Sequence, residues 1–212
     1  MQEHVPGVFT IDHSRPVAEL PSANLPLRPP AELVSAPVQL YRTEQMEEWR
    51  QFVEMNHDAK NFTDKEFKNG KVIAPEISNQ IWMAMSPHLP RRYRDTRGQE
   101  WEFVGPSKYV MYASILPGQS FPIHTDTGAE YGPKGESKFT VLIYLNDDFE
   151  GGRTIFYDDF FRKTVDIVPQ MGRTLMFDID LFHAGEAVLC GNKKWIGTEI
   201  ICRTFHNHIN SI

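Results

Sequence analysis

Cysteine is almost missing from this chain: Cys190 and Cys202 are the only two in 212 residues. That excludes a disulfide-stapled scaffold and a cysteine-based zinc finger. Long apolar runs are missing as well. Nothing approaches the ~18 consecutive apolar residues of a membrane span, so no membrane partner is expected. Positive charge is scarce and scattered. The longest basic runs are pairs such as Arg91-Arg92 and Lys193-Lys194, and the formal net charge is −6, so no nucleic-acid partner is expected. The opening Met1-Gln2-Glu3-His4-Val5-Pro6 has neither a basic nor an apolar leader segment, so the expected location is cytoplasmic. The zinc-hydrolase pattern H-E-x-x-H is also missing. What is present is 41% hydrophobic residues in a length that suits one domain with a sizeable core. Its chemistry must rest on histidine, carboxylate, lysine or arginine.

Residues 1–37 carry Pro6, Pro16, Pro21, Pro26, Pro29, Pro30 and Pro37 with no sustained apolar period, which predicts an extended N-terminal arm. A single domain is expected over 38–212. Within it, 43–90 forms a helical buttress. Thr43 is positioned to cap a helix whose Met46, Trp49, Phe52 and Val53 fall on one stripe. Pro75 is positioned to open a second helix carrying Ile77, Ile81, Trp82 and Met85, ending before Pro90. The polar stretch Asn61 to Lys71 between them reads as a loop. From 101 to 205 the pattern changes to short β-branched and aromatic runs: Tyr109–Leu116, Phe139–Leu145, Thr154–Tyr157, Thr164–Val168, Thr174–Phe177 and Trp195–Phe205. Turn signals such as Pro117-Gly118, Gly151-Gly152 and Gly191-Asn192 separate them. The expected class is mainly β with flanking helices, a sandwich or barrel.

The segment richest in chemistry is Pro117-Gly118-Gln119-Ser120-Phe121-Pro122-Ile123-His124-Thr125-Asp126. On a strand, His124 and Asp126 would project from one face. An imidazole and a carboxylate side by side supply two of three ligands for a divalent metal, and His183 is the candidate third. Two histidines and a carboxylate on one face of a metal leave sites open, as in non-haem Fe(II) oxygenases. The remaining histidines, His4, His13, His57, His88, His206 and His208, lack such a setting.

From Tyr109 to Arg203 the chain resembles the Fe(II)- and 2-oxoglutarate-dependent dioxygenases, in their prolyl 4-hydroxylase-like branch. The resemblance rests on Pro117-Gly118-Gln119-Ser120-Phe121 before His124-Thr125-Asp126 and on the run from Thr140 to Thr154 with its Gly151-Gly152 pair. It continues through Pro169-Gln170-Met171-Gly172, His183-Ala184-Gly185-Glu186 and Gly191-Asn192-Lys193-Lys194-Trp195. It implies a double-stranded β-helix (a jelly roll, cupin-like). It also implies His124, Asp126 and His183 as catalytic metal ligands, with Fe(II), 2-oxoglutarate and O2 as cofactor and cosubstrates. A basic residue after the distal histidine binds the far carboxylate of 2-oxoglutarate in this family, and Lys193 and Lys194 both lie in that window. Strand alternation groups Lys194 with Ile196, Thr198, Ile200 and Cys202, an apolar set resembling an inner face, and so favours Lys194. An ungapped count favours Lys193. Tyr144 stands where the family often places a cosubstrate-contacting tyrosine, Thr154 follows the Gly-Gly pair near the same pocket, and Thr198 is a candidate hydroxyl donor to the distal carboxylate.

Arg153 replaces a commonly acidic residue and Leu116 a commonly aromatic or polar one, departures that bear on substrate. The activity implied is hydroxylation of an unactivated C–H bond in a peptide side chain, prolyl or other, or in a free small molecule. The alternative is a non-catalytic jelly-roll protein that binds a metal or ligand. The segment Thr127–Ser137, with Gly128, Gly132, Gly135 and Tyr131, reads as a mobile lid over the open metal sites.

Overall fold

The structure, a computed structural model, describes residues 8–10, 40–58, 68–95 and 97–205. Apart from Val8–Thr10, the N-terminal arm lies outside these residues. So do His206 and His208.

Helix α1 spans Thr43–Asp58 and α2 spans Pro75–Met85. Thr43 is the first helical residue of α1 and not its cap; the Arg42 carbonyl already accepts the Met46 amide. Pro75 opens α2 as expected, since a missing amide proton costs nothing in a first turn.

Thirteen strands are assigned among the described residues, all paired antiparallel. They are β1 (Val8–Thr10), β2 (Lys68–Ile73), β3 (Arg92–Arg94), β4 (Glu100–Ile115), β5 (Phe121–His124), β6 (Glu136–Tyr144), β7 (Glu150–Gly151), β8 (Thr154–Tyr157), β9 (Lys163–Ile167), β10 (Thr174–Asp178), β11 (His183–Gly185), β12 (Val188–Cys190) and β13 (Lys193–Thr204). The large sheet runs β1-β10-β6-β13-β4-β2, with β3 also on β4. A four-stranded sheet runs β5-β11-β8-β9, and β7 pairs with β12.

Two strands differ from the sequence reading. Lys68–Ile73 is an edge strand and not the end of a loop. Its backbone pairs with β4 from Lys68↔Ser114 to Ile73↔Tyr109, a partnership no local pattern reveals. Gly70 fits there because the Tyr112 ring occupies the space a Cβ would need, 2.3 Å from it. Strand β4 begins well before Tyr109. It passes through Gly105-Pro106, where the register with β13 shifts.

Packing explains where a site can form. One face of the large sheet is covered by the helices: Trp49, Val53, Ile81 and Met85 meet Val110, Tyr112, Val141, Ile143, Ile196 and Ile200. The other face meets the small sheet, with Leu142, Tyr144, Leu175 and Phe177 against Phe156 and Ile167. Alternation along β6 therefore sends Val141 and Ile143 to the helices, and Leu142 and Tyr144 between the sheets. The architecture is a dominant antiparallel β core with flanking helices.

Candidate metal centre

Strands β5 and β11 are neighbours, and their register sets His124 directly opposite His183. The two rings lie 4.3 Å apart between centroids. Asp126 lies just past the end of β5, where its amide donates to the Ile179 carbonyl at 3.0 Å. Its carboxylate is 3.5 Å from His124 Nε2 through Oδ1 and 3.8 Å from His183 Nε2 through Oδ2. One ligand atom from each of the three residues can be chosen with all three within 4.8 Å of one another.

The hydrogen bonds suit these groups to a divalent cation. Each imidazole places Nδ1 against a backbone carbonyl, Pro122 at 2.8 Å for His124 and Leu181 at 2.9 Å for His183. In the neutral rings the proton is thereby held on Nδ1, leaving the Nε2 lone pair toward Asp126. Burial pushes His183 below its ordinary pKa, which favours the neutral, ligating form. The Asp126 contact is the main cause that raises His124. For Asp126, burial acts upward, but the His124 contact, the His183 charge and the Thr140 hydroxyl together hold it below the usual range. Thr140 Oγ1 donates to Asp126 Oδ2 at 2.5 Å.

A cavity of about 520 Å³ opens over this triad. Its lining includes Lys193, Thr154, Trp195, Phe177, Lys71 and Glu199. Lys193 is buried, and its Nζ donates to the Gly152 carbonyl at 2.6 Å while lying 5.2 Å from the centre of the Tyr144 ring. Desolvation lowers its pKa to about 7. Tyr144 stands behind Thr154, their hydroxyls 2.6 Å apart. Gly151 and Gly152 both have positive φ, at 74° and 66°. A Cβ on Gly152 would press on the Lys193 stem at 3.1 Å. The pair thus permits both the turn and the approach of the lysine.

Lys194 points the other way, onto α1, where it forms an ion pair with Glu54. Thr198 also lies away from the cavity lining, its hydroxyl donating to the Tyr109 carbonyl at 2.9 Å. The facing expected from alternation is therefore reversed. Lys194 does share the parity of Ile196 and Ile200, but that apolar face packs the helices. Lys193, Trp195 and Glu199 form the cavity face.

Thr140 and the Lys71–Glu199 pair were not legible as site residues. Thr140 begins an ordinary β-branched run, and Lys71 and Glu199 meet only because β2 and β13 both flank β4.

The expected lid is tied down. Ser137 is buried and donates to Glu199 at 2.6 Å, and Tyr131 Oη lies 2.9 Å from Ser107 Oγ. Gly135, at φ 108°, backs onto the Cys202 carbonyl so closely that a Cβ would lie 2.1 Å from it.

Two histidines and one carboxylate converging on a cavity between antiparallel sheets define a facial-triad metal site of the non-haem oxygenase type. A family model, the 2OG-Fe(II) oxygenase superfamily, matches residues 108–201 of the chain. Solved structures show the fold relationship. The viral collagen prolyl hydroxylase of Paramecium Bursaria Chlorella virus-1, in its 2OG complex, is 18% identical, with 76% of this chain and 91% of that chain covered and a TM-score of 0.53. A Pseudomonas putida prolyl-4-hydroxylase is 14% identical, covering 77% and 89%, at 0.51. A Trichoplax adhaerens prolyl hydroxylase, in complex with a hypoxia inducible factor peptide fragment, is 19% identical, covering 74% and 77%, at 0.53. No curated protein sequence matches the chain.

Proposed function

We propose that this protein is an Fe(II)- and 2-oxoglutarate-dependent dioxygenase that hydroxylates an unactivated C–H bond of a peptide or small-molecule substrate. The two packed sheets are read as the double-stranded β-helix of the superfamily. Residues 38–212 are read as one catalytic domain and residues 1–37 as an arm along it; the pairing of Val8–Thr10 with β10 supports that course.

The observation that carries the reading is a buried cation in the same cavity as the triad. Lys193 is buried with its ammonium on the Gly152 carbonyl, and the Glu186 charge acts on it more weakly than burial does. A buried ammonium so weakly countered is costly and is retained where an anionic ligand completes it. The far carboxylate of 2-oxoglutarate is that ligand, so Lys193 and not Lys194 is assigned as its anchor. Thr154 borders the same pocket, and the Tyr144 hydroxyl behind it lies 2.6 Å from the Thr154 hydroxyl.

His124, Asp126 and His183 would hold Fe(II), which when bound supplies O2 activation coupled to oxidative decarboxylation of 2-oxoglutarate. The protein's part is geometric and electrostatic. Thr140 holds the Asp126 carboxylate in place, and the Pro122 and Leu181 carbonyls fix both imidazole tautomers. Phe177 and Phe156, both fully buried, pack against the His183 ring and keep water from that side of the triad.

Anaerobic addition of Fe(II) and 2-oxoglutarate should give a weak visible charge-transfer band that is lost in His124→Ala, and aerobic incubation should yield succinate. A protein showing neither the band nor succinate would be a metal or ligand binder without this chemistry.

A further inference from the structure

Six residues along the same face of β13 from Lys193 lies a second charged group that cosubstrate binding does not use. Glu199 is only 3% exposed, yet it lines the cavity. One carboxylate oxygen accepts from Ser137 Oγ at 2.6 Å, and the other pairs with Lys71 Nζ. The two holders differ in kind. Ser137 is buried on β6 and its oxygen also accepts the Ala129 amide at 3.3 Å. Lys71 sits on the edge strand β2 with 41% of its side chain exposed, reaching in over the Tyr109 ring. Glu199 is thus a fixed, buried anion, and its counter-ion is a long side chain free to swing toward solvent.

Its place in the sheet sets it beside the chemistry. Glu199 on β13 stands opposite Thr140 on β6, and Thr140 donates to the Asp126 carboxylate. Side chains opposite one another in an antiparallel pair are close neighbours. A ligand group held by Glu199 would therefore lie next to the triad. Such a group must be cationic, because a buried carboxylate that loses its cation must gain another.

Resting on the oxygenase reading above, we propose that Glu199 is the specificity-determining carboxylate for a substrate bearing a cationic nitrogen, an ammonium or a guanidinium. Lys71 is its internal stand-in. When the substrate enters, its cation takes the Lys71 position on Glu199, and Lys71 moves out to water. Met111 and Trp195, on the same cavity wall, flank the apolar remainder of the substrate.

The two partners of the pair should then respond with opposite sign. Binding is measured by calorimetry under nitrogen for the carboxamides of L-lysine, L-arginine and L-proline, each against a neutral counterpart: Nα,Nε-diacetyl-lysinamide, Nα-acetyl-citrullinamide and N-acetyl-prolinamide. Titrations are run with and without Fe(II) and 2-oxoglutarate. At least one cationic probe is expected to bind about tenfold or more tightly than its neutral counterpart. Glu199→Gln should abolish that preference, whereas Lys71→Met should strengthen binding of the cation by removing its competitor. If Glu199→Gln does not fold, the sign of the Lys71→Met effect decides. Absence of binding by all three cations, equal binding of charged and neutral forms, or weakened binding in Lys71→Met would overturn the proposal. Loss of the 2-oxoglutarate charge-transfer band with cation binding intact would instead overturn the oxygenase reading alone.

Discussion

The ammonium of Lys193 is buried and donates to the Gly152 carbonyl. Its pKa falls from 10.5 to about 7 because burial penalises the charged form. The unfolded chain thus holds a proton that the folded one lacks between pH 7 and 10.5, so this residue makes stability rise with pH over that interval. Below pH 7 the cost of burying the cation is present in full. Lys193→Met should therefore raise the melting temperature at pH 6 by on the order of 5 °C, with the gain shrinking toward pH 10. Calorimetric scans across pH check this. Adding 2-oxoglutarate should raise the wild-type melting temperature at pH 6 and leave that of Lys193→Met unchanged. A smaller change addresses the metal. Thr140→Val removes the hydroxyl that holds Asp126 Oδ2, and metal affinity should fall about 10–100-fold in a competition titration with little change in the fold.

Strand β13 is the element on which the site depends, because one of its faces builds the helix-side core and the other builds the cavity. Its close packing is visible at Gly197, where a Cβ would lie 2.2 Å from the Val141 carbonyl of β6. Backbone cannot yield there as a flexible side chain would. Gly197→Ala should cost more than about 2 kcal/mol in chemical denaturation. The loop Thr127–Ser137 calls for a revised expectation. A free lid could be trimmed without loss, but this one carries the Ser137–Glu199 bond, the Tyr131–Ser107 contact and the Gly135 approach to β13. Replacing it with a short Gly-Ser link should lower stability by several kcal/mol, since each buried hydrogen bond is worth about 1 kcal/mol and a buried Glu199 oxygen left without its donor costs more. Thermal unfolding of the trimmed variant measures it; an unchanged melting temperature would restore the mobile-lid picture.

At the scale of the molecule, the triad joins segments distant in sequence, the end of β5 and the start of β11, so metal binding is linked to folding. A ligand that binds only the folded state stabilises it by about 2.7 kcal/mol at a hundredfold excess over its Kd. Removing the metal from loaded protein with a chelator should therefore lower the melting temperature by roughly 5–10 °C, reversed by Fe(II) or Mn(II) under nitrogen. His124→Ala should melt at one temperature with or without metal. The helices belong to this scale too. Among the described residues none is long and apolar enough to cross a membrane, and both bury their apolar stripes on the large sheet.

Local spacing determined a good deal by itself. The stripe of Met46, Trp49 and Val53, the proline that opens α2 and the β-rich second half follow from periods of a few residues, which neighbours in sequence suffice to set. The His124–Asp126 pair is local as well, and His183 was singled out by the motif around it. Tertiary structure decided what depends on which surface covers which. The alternation along β13 was readable, but an apolar face can pack against helices as well as line a cavity, and only the docking of α1 and α2 shows that Ile196 and Ile200 serve the helices. That docking turns Lys194 outward to Glu54 and leaves Lys193 in the cavity. The strand at Lys68–Ile73, and with it the meeting of Lys71 and Glu199, likewise exists only through pairing with β4, because an edge strand's partner is chosen by the sheet and not by its own residues.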